Sequence, residues 1–247
     1  MKRGRGIVVA GLMMMGVVSA SAGNSGPAGG RDTVYAPFNQ GDIVFPPNLW
    51  ALDILVGSTG FGLGTFYRRE ITPDLFWFAS LSISDAKDDR EVERIDPYTG
   101  ATFSPGKLNR FLVVPLFVGL QRRLFREDIT DTFRPFINGG FGPAMVYEMP
   151  YSRVVRTESG AFMVDEVDFF EALGLGTAHF TLGGFIGFGA NFGAEQSPTM
   201  GVNFRYYFIQ LYGDGIPSLY NPYTGEITSR KKDFGGFYLT FHIGTGF

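Results

Sequence analysis

Long stretches of this chain alternate between large apolar side chains and small or polar ones. Trp50, Leu52, Ile54 and Val56 share one side of an extended segment, and Asp53 lies on the other. Successive side chains of a strand point to opposite faces, so a period of two predicts strands with two unlike faces. The next segment puts Phe61, Leu63, Thr65 and Tyr67 against Gly60, Gly62, Gly64 and Arg68. A third puts Leu75, Trp77, Ala79, Leu81 and Ile83 against Ser80, Ser82 and Ser84. The fourth strand, 108–124, is apolar on both faces, and its better parity sets Leu112, Val114, Leu116 and Val118 on the greasy side. The fifth, 132–148, sets Ile137, Phe141 and Met145 against Arg134, Asn138, Gly140 and Gly142. The sixth, 177–192, sets Phe180, Leu182, Ile186 and Phe188 against Gly183, Gly187 and Gly189. The seventh, 199–212, sets Met200, Val202, Phe204, Tyr206 and Phe208 against Asn203 and Arg205. In the last strand, Phe237, Leu239, Phe241, Ile243 and Phe247 oppose Tyr238, Thr240, His242, Gly244 and Gly246.

The connections sort by length. Turn residues mark Gly57–Gly60, Thr72–Asp74, 126–131 and 193–198, whereas 85–107, 149–176 and 213–232 are long. Apart from Gly57–Gly60, short turns therefore gather at one end and long loops at the other. An even number of strands with that asymmetry is the plan of a barrel crossing a membrane with both termini on the short-turn side, the periplasm. The predicted fold is all-β: an eight-stranded antiparallel transmembrane up-and-down β-barrel over 49–247. Trp77, Phe204, Phe237 and Phe241 are expected to face lipid.

Composition sharpens this. The chain has 35 glycines and 26 phenylalanines, a pairing that suits rings on the outside of a small barrel and small residues inside. A lipocalin-like soluble barrel also alternates, but its apolar face points inward. Here the face opposite the large residues is mostly glycine, serine, threonine and charge, which would fill an apolar core poorly. No cysteine is present, so no disulfide supports the fold, and a net charge of −3 argues against a nucleic-acid partner.

The first residues read as an export signal. Lys2, Arg3 and Arg5 precede the apolar run Ile7–Val18, and Ala20-Ser21-Ala22 is a small-residue cleavage site. The run is too short for a spanning helix, so residues 1–22 are expected to be a cleaved signal peptide. Residues 23–48 begin with a glycine-rich leader and continue through Pro37, Pro46 and Pro47 as an irregular periplasmic segment.

The final strand, ending on Phe247 after Leu239, Phe241 and Ile243, resembles the C-terminal targeting signature of bacterial outer-membrane β-barrels. Residues 49–247 resemble the barrel domains of the OmpA and OmpX type. The resemblance implies an outer-membrane address and contact with lipid and lipopolysaccharide. It implies that Leu239, Phe241, Ile243 and Phe247 are read by the barrel-assembly machinery. No peptidoglycan-binding domain is expected after the barrel, and a monomer is expected.

Candidate chemistry is sparse. Asp53, Arg205 and His242 share inward parity near the seam between the first and last strands. Unpaired charge in a narrow lumen is costly, so they are expected to form a buried polar network, with Glu148 and His179 as further lumen polar residues. Those two fall on neighbouring strands near the outer rim, in the arrangement a base and its orienter need. No Gly-x-Ser-x-Gly or His-Glu-x-x-His motif occurs. Barrel enzymes that deacylate lipid A carry His-x-Ser-Asn, and here His179 is followed by Phe-Thr-Leu. No catalytic residue, cofactor or metal is assigned, and the expected function is structural or surface-interactive, with a narrow pore as the alternative. Asp85–Glu93 is dense in carboxylates and offers oxygen ligands to a hard cation, without EF-hand spacing. A solvated loop is the simpler reading. One motif recurs: Asp96-Pro97-Tyr98-Thr99-Gly100 matches Asn221-Pro222-Tyr223-Thr224-Gly225, and at the same offset Ser104 matches Ser229 and Lys107 matches Lys232. Both copies read as turns.

Overall fold

The computed structural model describes residues 47–247 apart from some loop positions within 96–101, 127–131, 157–161, 194–198 and 222–223. The expected signal peptide lies outside the described residues. So does all of the 23–48 segment except Pro47 and Asn48, and Asn48 already opens the first strand.

Eight long strands close on themselves: β1 (Asn48–Gly57), β2 (Phe61–Thr72), β3 (Leu75–Ala86), β6 (Asn109–Arg123), β7 (Phe133–Pro150), β10 (Thr177–Phe192), β11 (Thr199–Ile209) and β14 (Gly236–Gly246). Each is antiparallel to its neighbours in sequence, and β14 pairs with β1 from Leu49↔Gly246 to Gly57↔Tyr238. Closure leaves no unpaired strand edge, the condition for backbone to lie in hydrocarbon. Three two-stranded hairpins fill the long connections: β4 (Arg94–Ile95) with β5 (Thr102–Phe103), β8 (Ser152–Arg156) with β9 (Phe162–Glu166), and β12 (Ile216–Tyr220) with β13 (Ile227–Lys231). Among the described residues one helix occurs, α1 (Phe169–Leu175), which precedes β10.

The faces divide as the alternation requires. Leu52 is 54% exposed, Phe141 64% and Phe180 73%, while Asp53 between its greasy neighbours is 2% exposed. Leu116, Val118 and Leu120 are exposed and Phe111, Val113 and Phe117 buried, which fixes the parity of the doubly apolar β6. A continuous apolar outer wall is the inverse of a lipocalin-like barrel and fits a lipid-facing surface. At the short-turn end the rings of Tyr67, Trp77 and Phe247 cluster, Tyr67 standing 5.5 Å from Trp77 and 6.5 Å from Phe247. Aromatic rings of this kind favour the membrane interface.

The interior differs from the expected glycine, serine and charge. A layer of rings crosses it. Phe185 stands 5.8 Å from Phe78, 5.9 Å from Phe117 and 5.3 Å from Tyr207, and Tyr207 is 5.1 Å from Tyr238. These residues come from β3, β6, β10, β11 and β14, so the layer spans the lumen. The inward glycines are what admit it. A Cβ on Gly140 would stand 2.9 Å from the Phe185 ring and 3.2 Å from that of Phe78. Glycine and ring are complementary halves of one layer, as close packing of an interior requires.

Candidate functional site

The lumen holds its charge beside that aromatic layer. Arg205 on β11 donates from Nη1 to Asp53 Oδ2 on β1 at 3.0 Å, and both side chains are nearly inaccessible. The guanidinium lies 5.2 Å over the Phe185 ring and 3.4 Å from the Tyr207 hydroxyl. The barrel thus compensates a buried charge twice, by ion pair and by ring.

His242 is the register partner of Asp53 across the seam, but its hydrogen bond runs elsewhere. Its Nε2 meets Asn191 Oδ1 at 2.7 Å, and its ring stands edge-on to Phe66 at 5.4 Å. Gly201 makes the space, since a Cβ there would come within 2.2 Å of the imidazole. The expected network is therefore two adjoining groups, Asp53–Arg205 and His242–Asn191. Arg205 and His242, one member of each group, line a common cavity of about 10 Å³ with Asn203, large enough for about one water. A second cavity of about 10 Å³ lies beyond, lined by Leu55, Ser82 and Tyr238 among others.

Glu148 and His179 do not join this network. Glu148 Oε2 and His179 Nε2 are 2.9 Å apart, and Glu148 Oε1 accepts from Asn109 Nδ2 at 2.6 Å. Glu148 pairs in register with Thr177, the first residue of β10, so the pair sits at the long-loop rim, partly exposed. Among the described residues no serine, threonine or tyrosine hydroxyl is bonded to it. Beside His179 lies a cleft of about 380 Å³, also lined by Tyr212, Asp214 and Ile216.

Above the rim, the three long loops are stitched together. Asp88 accepts from the hydroxyls of Ser218 and Ser229, the latter at 2.9 Å, so the loop after β3 grips both strands of the β12–β13 hairpin. Burial works to raise the Asp88 pKa. The Ser218 hydroxyl, the Arg90 amide, the Ser229 hydroxyl and the Lys231 charge outweigh it and hold the carboxyl below its ordinary value. Glu91 accepts from Lys107 Nζ at 2.5 Å and from Ser104 Oγ at 2.9 Å, largely shielded from solvent. Backbone bonds continue the stitching: Leu108 N to Ser218 O at 2.9 Å, Tyr220 N to Gly106 O at 2.8 Å, and Tyr151 N to Leu108 O at 2.7 Å. Ile216 and Phe234 are buried beneath, with Phe111 standing 5.3 Å from Phe234.

Four of the five carboxylates of the acidic loop, Asp85, Asp88, Glu91 and Glu93, are engaged by protein donors. Asp85 accepts from the Phe61 amide at 2.5 Å and Glu93 from Lys87 at 2.6 Å. Among the described residues, no group of three metal-ligating side chains occurs. The repeated motif supplies the turns of β4–β5 and β12–β13. Only part of each copy is described, but Gly100 and Gly225 both adopt positive φ, 71° and 73°, which favours glycine. Its two serines, Ser104 and Ser229, both donate to this acidic loop. The second lysine differs: Lys231, not Lys232, is the buried one near Asp88.

Sequence reasoning missed Phe185, Tyr207, Phe66 and Asn191 as partners of the lumen charges. Their inward parity was readable from their strands. Which of them meet across the lumen depends on the stagger of strands not adjacent in sequence.

No protein-family model matches the chain, and no curated protein matches it. Solved structures do. Neisserial surface protein A is similar over 81% of this chain and 94% of its own, at 9% identity and TM-score 0.41. The N-terminal β-barrel domain of Pseudomonas aeruginosa OprF is similar over 83% and 100%, at 8% identity and TM-score 0.39. Ail, the attachment invasion locus protein of Yersinia pestis, is similar over 81% and 93%, at 11% identity and TM-score 0.36. These likenesses are distant, and it is the chain's own closed register and apolar outer wall that make it an eight-stranded antiparallel barrel with a lipid-facing exterior.

Proposed function

We propose that this chain is an integral bacterial outer-membrane protein whose barrel is a closed anchor for a rigid surface cap. Its work is structural or interactive at the cell surface, without catalysis or solute passage. The observation that carries this reading is the lumen. Five strands contribute rings to one layer across it, a buried ion pair sits against that layer, and the two cavities described among these residues hold about one water each. Eight strands enclose just enough width for side chains to fill.

The apolar outer wall contacts membrane lipid, and the cap lies among lipopolysaccharide. Both termini lie in the periplasm, and the barrel-assembly machinery reads the last strand through Leu239, Phe241, Ile243 and Phe247. The chain acts as a monomer with no cofactor. Glu148, His179 and Asn109 act as a clamp at the rim, where β6, β7 and β10 leave the membrane.

Outer-membrane fractionation, an unboiled gel and planar-bilayer recording test the reading together. The expected result is a heat-modifiable band in the outer-membrane fraction and no reproducible conductance steps. Discrete steps from the purified protein would replace the anchor with a pore, and altered lipid A in overproducing cells would replace it with an enzyme.

A further inference from the structure

Helix α1 lies on the outside of the barrel, at the top of the apolar wall. Tyr147 and Met149 have outward parity on β7, and Leu112 has it on β6, yet Met149 is buried and the other two are partly covered. Their cover is α1 and Val167, two residues before it: Ala172 and Val167 pack on Met149, Leu112 and Tyr147. The Tyr147 hydroxyl donates to the Leu173 carbonyl at 2.6 Å, and Asp168 caps the helix by accepting from the Phe170 amide at 2.9 Å. The helix is thus fixed to the wall.

Its remaining surface is unusual for something meant to face water. Phe170 is 80% exposed and Leu175 60%, and Phe169 and Leu173 are exposed as well. The polar residue Glu171 bonds Arg153 of the β8–β9 hairpin at 2.6 Å, so that flank of the helix points to the cap. Phe169 and Leu173 each lie two residues from Glu171, about 160° around the axis at 100° per residue. They point away from the cap, back along the wall. Directly below stands the lipid-facing belt. Tyr147 pairs with Ala178, and two residues along the same outer face Met145 pairs with the exposed Phe180.

We propose that α1 is a membrane-seated helix, lying flat in the interface of the outer leaflet with Phe169, Phe170 and Leu173 among the upper acyl chains. Its occupant is the lipid surface, because its apolar flank continues the wall that lipid already covers, and its one charged flank is turned to the cap. Glu171 is the helix's one charged residue, with exposed Leu175 about 40° from it around the axis, and a short helix that is apolar apart from a charge turned to the polar side lies in such an interface. The inference rests on the outer-membrane reading above.

The absence of cysteine from the chain makes single labels straightforward. Three variants, Phe170→Cys, Glu171→Cys and Phe188→Cys, would each carry an environment-sensitive fluorophore attached in denaturant before folding into phosphatidylcholine vesicles. Iodide on both sides of the membrane reports contact with water, and brominated lipids report contact with acyl chains. At position 170 iodide quenching is expected to be at least about threefold weaker than at 171, with brominated-lipid quenching stronger, as for a side chain sunk into the interface. Position 188, on the outer wall of β10, is the control for the barrel. If 188 is quenched by lipid while 170 is as open to iodide as 171, the helix faces water or a protein partner and the inference is overturned. If 188 is also open to iodide, the membrane reading itself fails.

Discussion

Removing the lumen guanidinium tests whether charge is held in the barrel as described. Arg205→Met leaves the Asp53 carboxylate 2% exposed, with no other side-chain donor bonded to it among the described residues. Breaking a buried pair from one side costs about 3–5 kcal/mol. Arg205 itself lines a cavity with room for about one water, so its removal lets water approach the orphaned carboxylate, which places the expected loss near the lower end, about 3 kcal/mol. Asp53→Asn is milder, because Arg205 keeps the Phe185 ring at 5.2 Å. A desolvated cation over a ring is worth about 2 kcal/mol, so the expected loss is about 1–3 kcal/mol. The double variant removes both charges and should lose less than the two single losses together, with a coupling energy of at least about 1 kcal/mol. Urea titration of the protein folded in lipid vesicles measures this, followed by the mobility of unboiled samples and by Trp50 and Trp77 fluorescence. Additive losses, or an Arg205→Met loss below about 1 kcal/mol, would refute the claim that the pair is a desolvated, mutually dependent unit.

Four further outcomes follow from the same geometry. Phe204→Arg puts a cation on the lipid face and should cost about 2–4 kcal/mol in the same titration, while Asn203→Ala, whose amide is buried without a partner, should cost less than about 1 kcal/mol. Gly140→Ala should destabilise by about 1–3 kcal/mol because its Cβ meets two rings of the lumen layer; Gly139→Ala, on the outer face, is the control and should lose less. The cap should loosen in acid: the depressed Asp88 carboxyl contributes stability above its unfolded pKa of about 3.9 and loses it as pH falls through the lower folded value, so pepsin should cut the β12–β13 loop increasingly as pH falls below about 4, and Asp88→Asn should be cut already at about pH 4. Deleting Phe247 removes two backbone bonds to Asn48 at the seam, at 3.0 and 3.3 Å, and should lower outer-membrane levels while periplasmic export, read by fractionation, persists.

The barrel was legible because each strand carries its own evidence. Met200 to Phe208 can be assigned to faces without reference to any other strand, and the period of two does the same for β1 to β3. Even β6, apolar on both faces, resolved to the better parity, since its neighbours fix its register. The lumen and the cap were less legible. Phe185 sits inward among glycines in its own strand, and that pattern hints at a ring needing space. That it meets Phe78 and Tyr207 depends on strand stagger. The same holds for His242, which lies opposite Asp53 in sequence register and yet bonds Asn191. Within the loops, carboxylates such as Asp88 carry no periodic signal, and their partners Ser218 and Ser229 lie far along the chain. Helix α1 escaped notice because seven residues give less than two turns of pattern.

The stitching of the loops has a consequence for anything that meets this protein from outside. Asp88, Ser218 and Ser229 belong to segments far apart in sequence, as do Leu108 and Tyr151, yet each set is joined by hydrogen bonds. The outward surface is therefore a composite, and no single loop presents it alone. Antibodies raised against a peptide copied from one loop would meet a shape absent from the native cell, whereas those raised against the folded protein would lose their epitope on boiling. Sequence change in one loop is likewise felt by the other two, so the exposed surface can diversify only as a set.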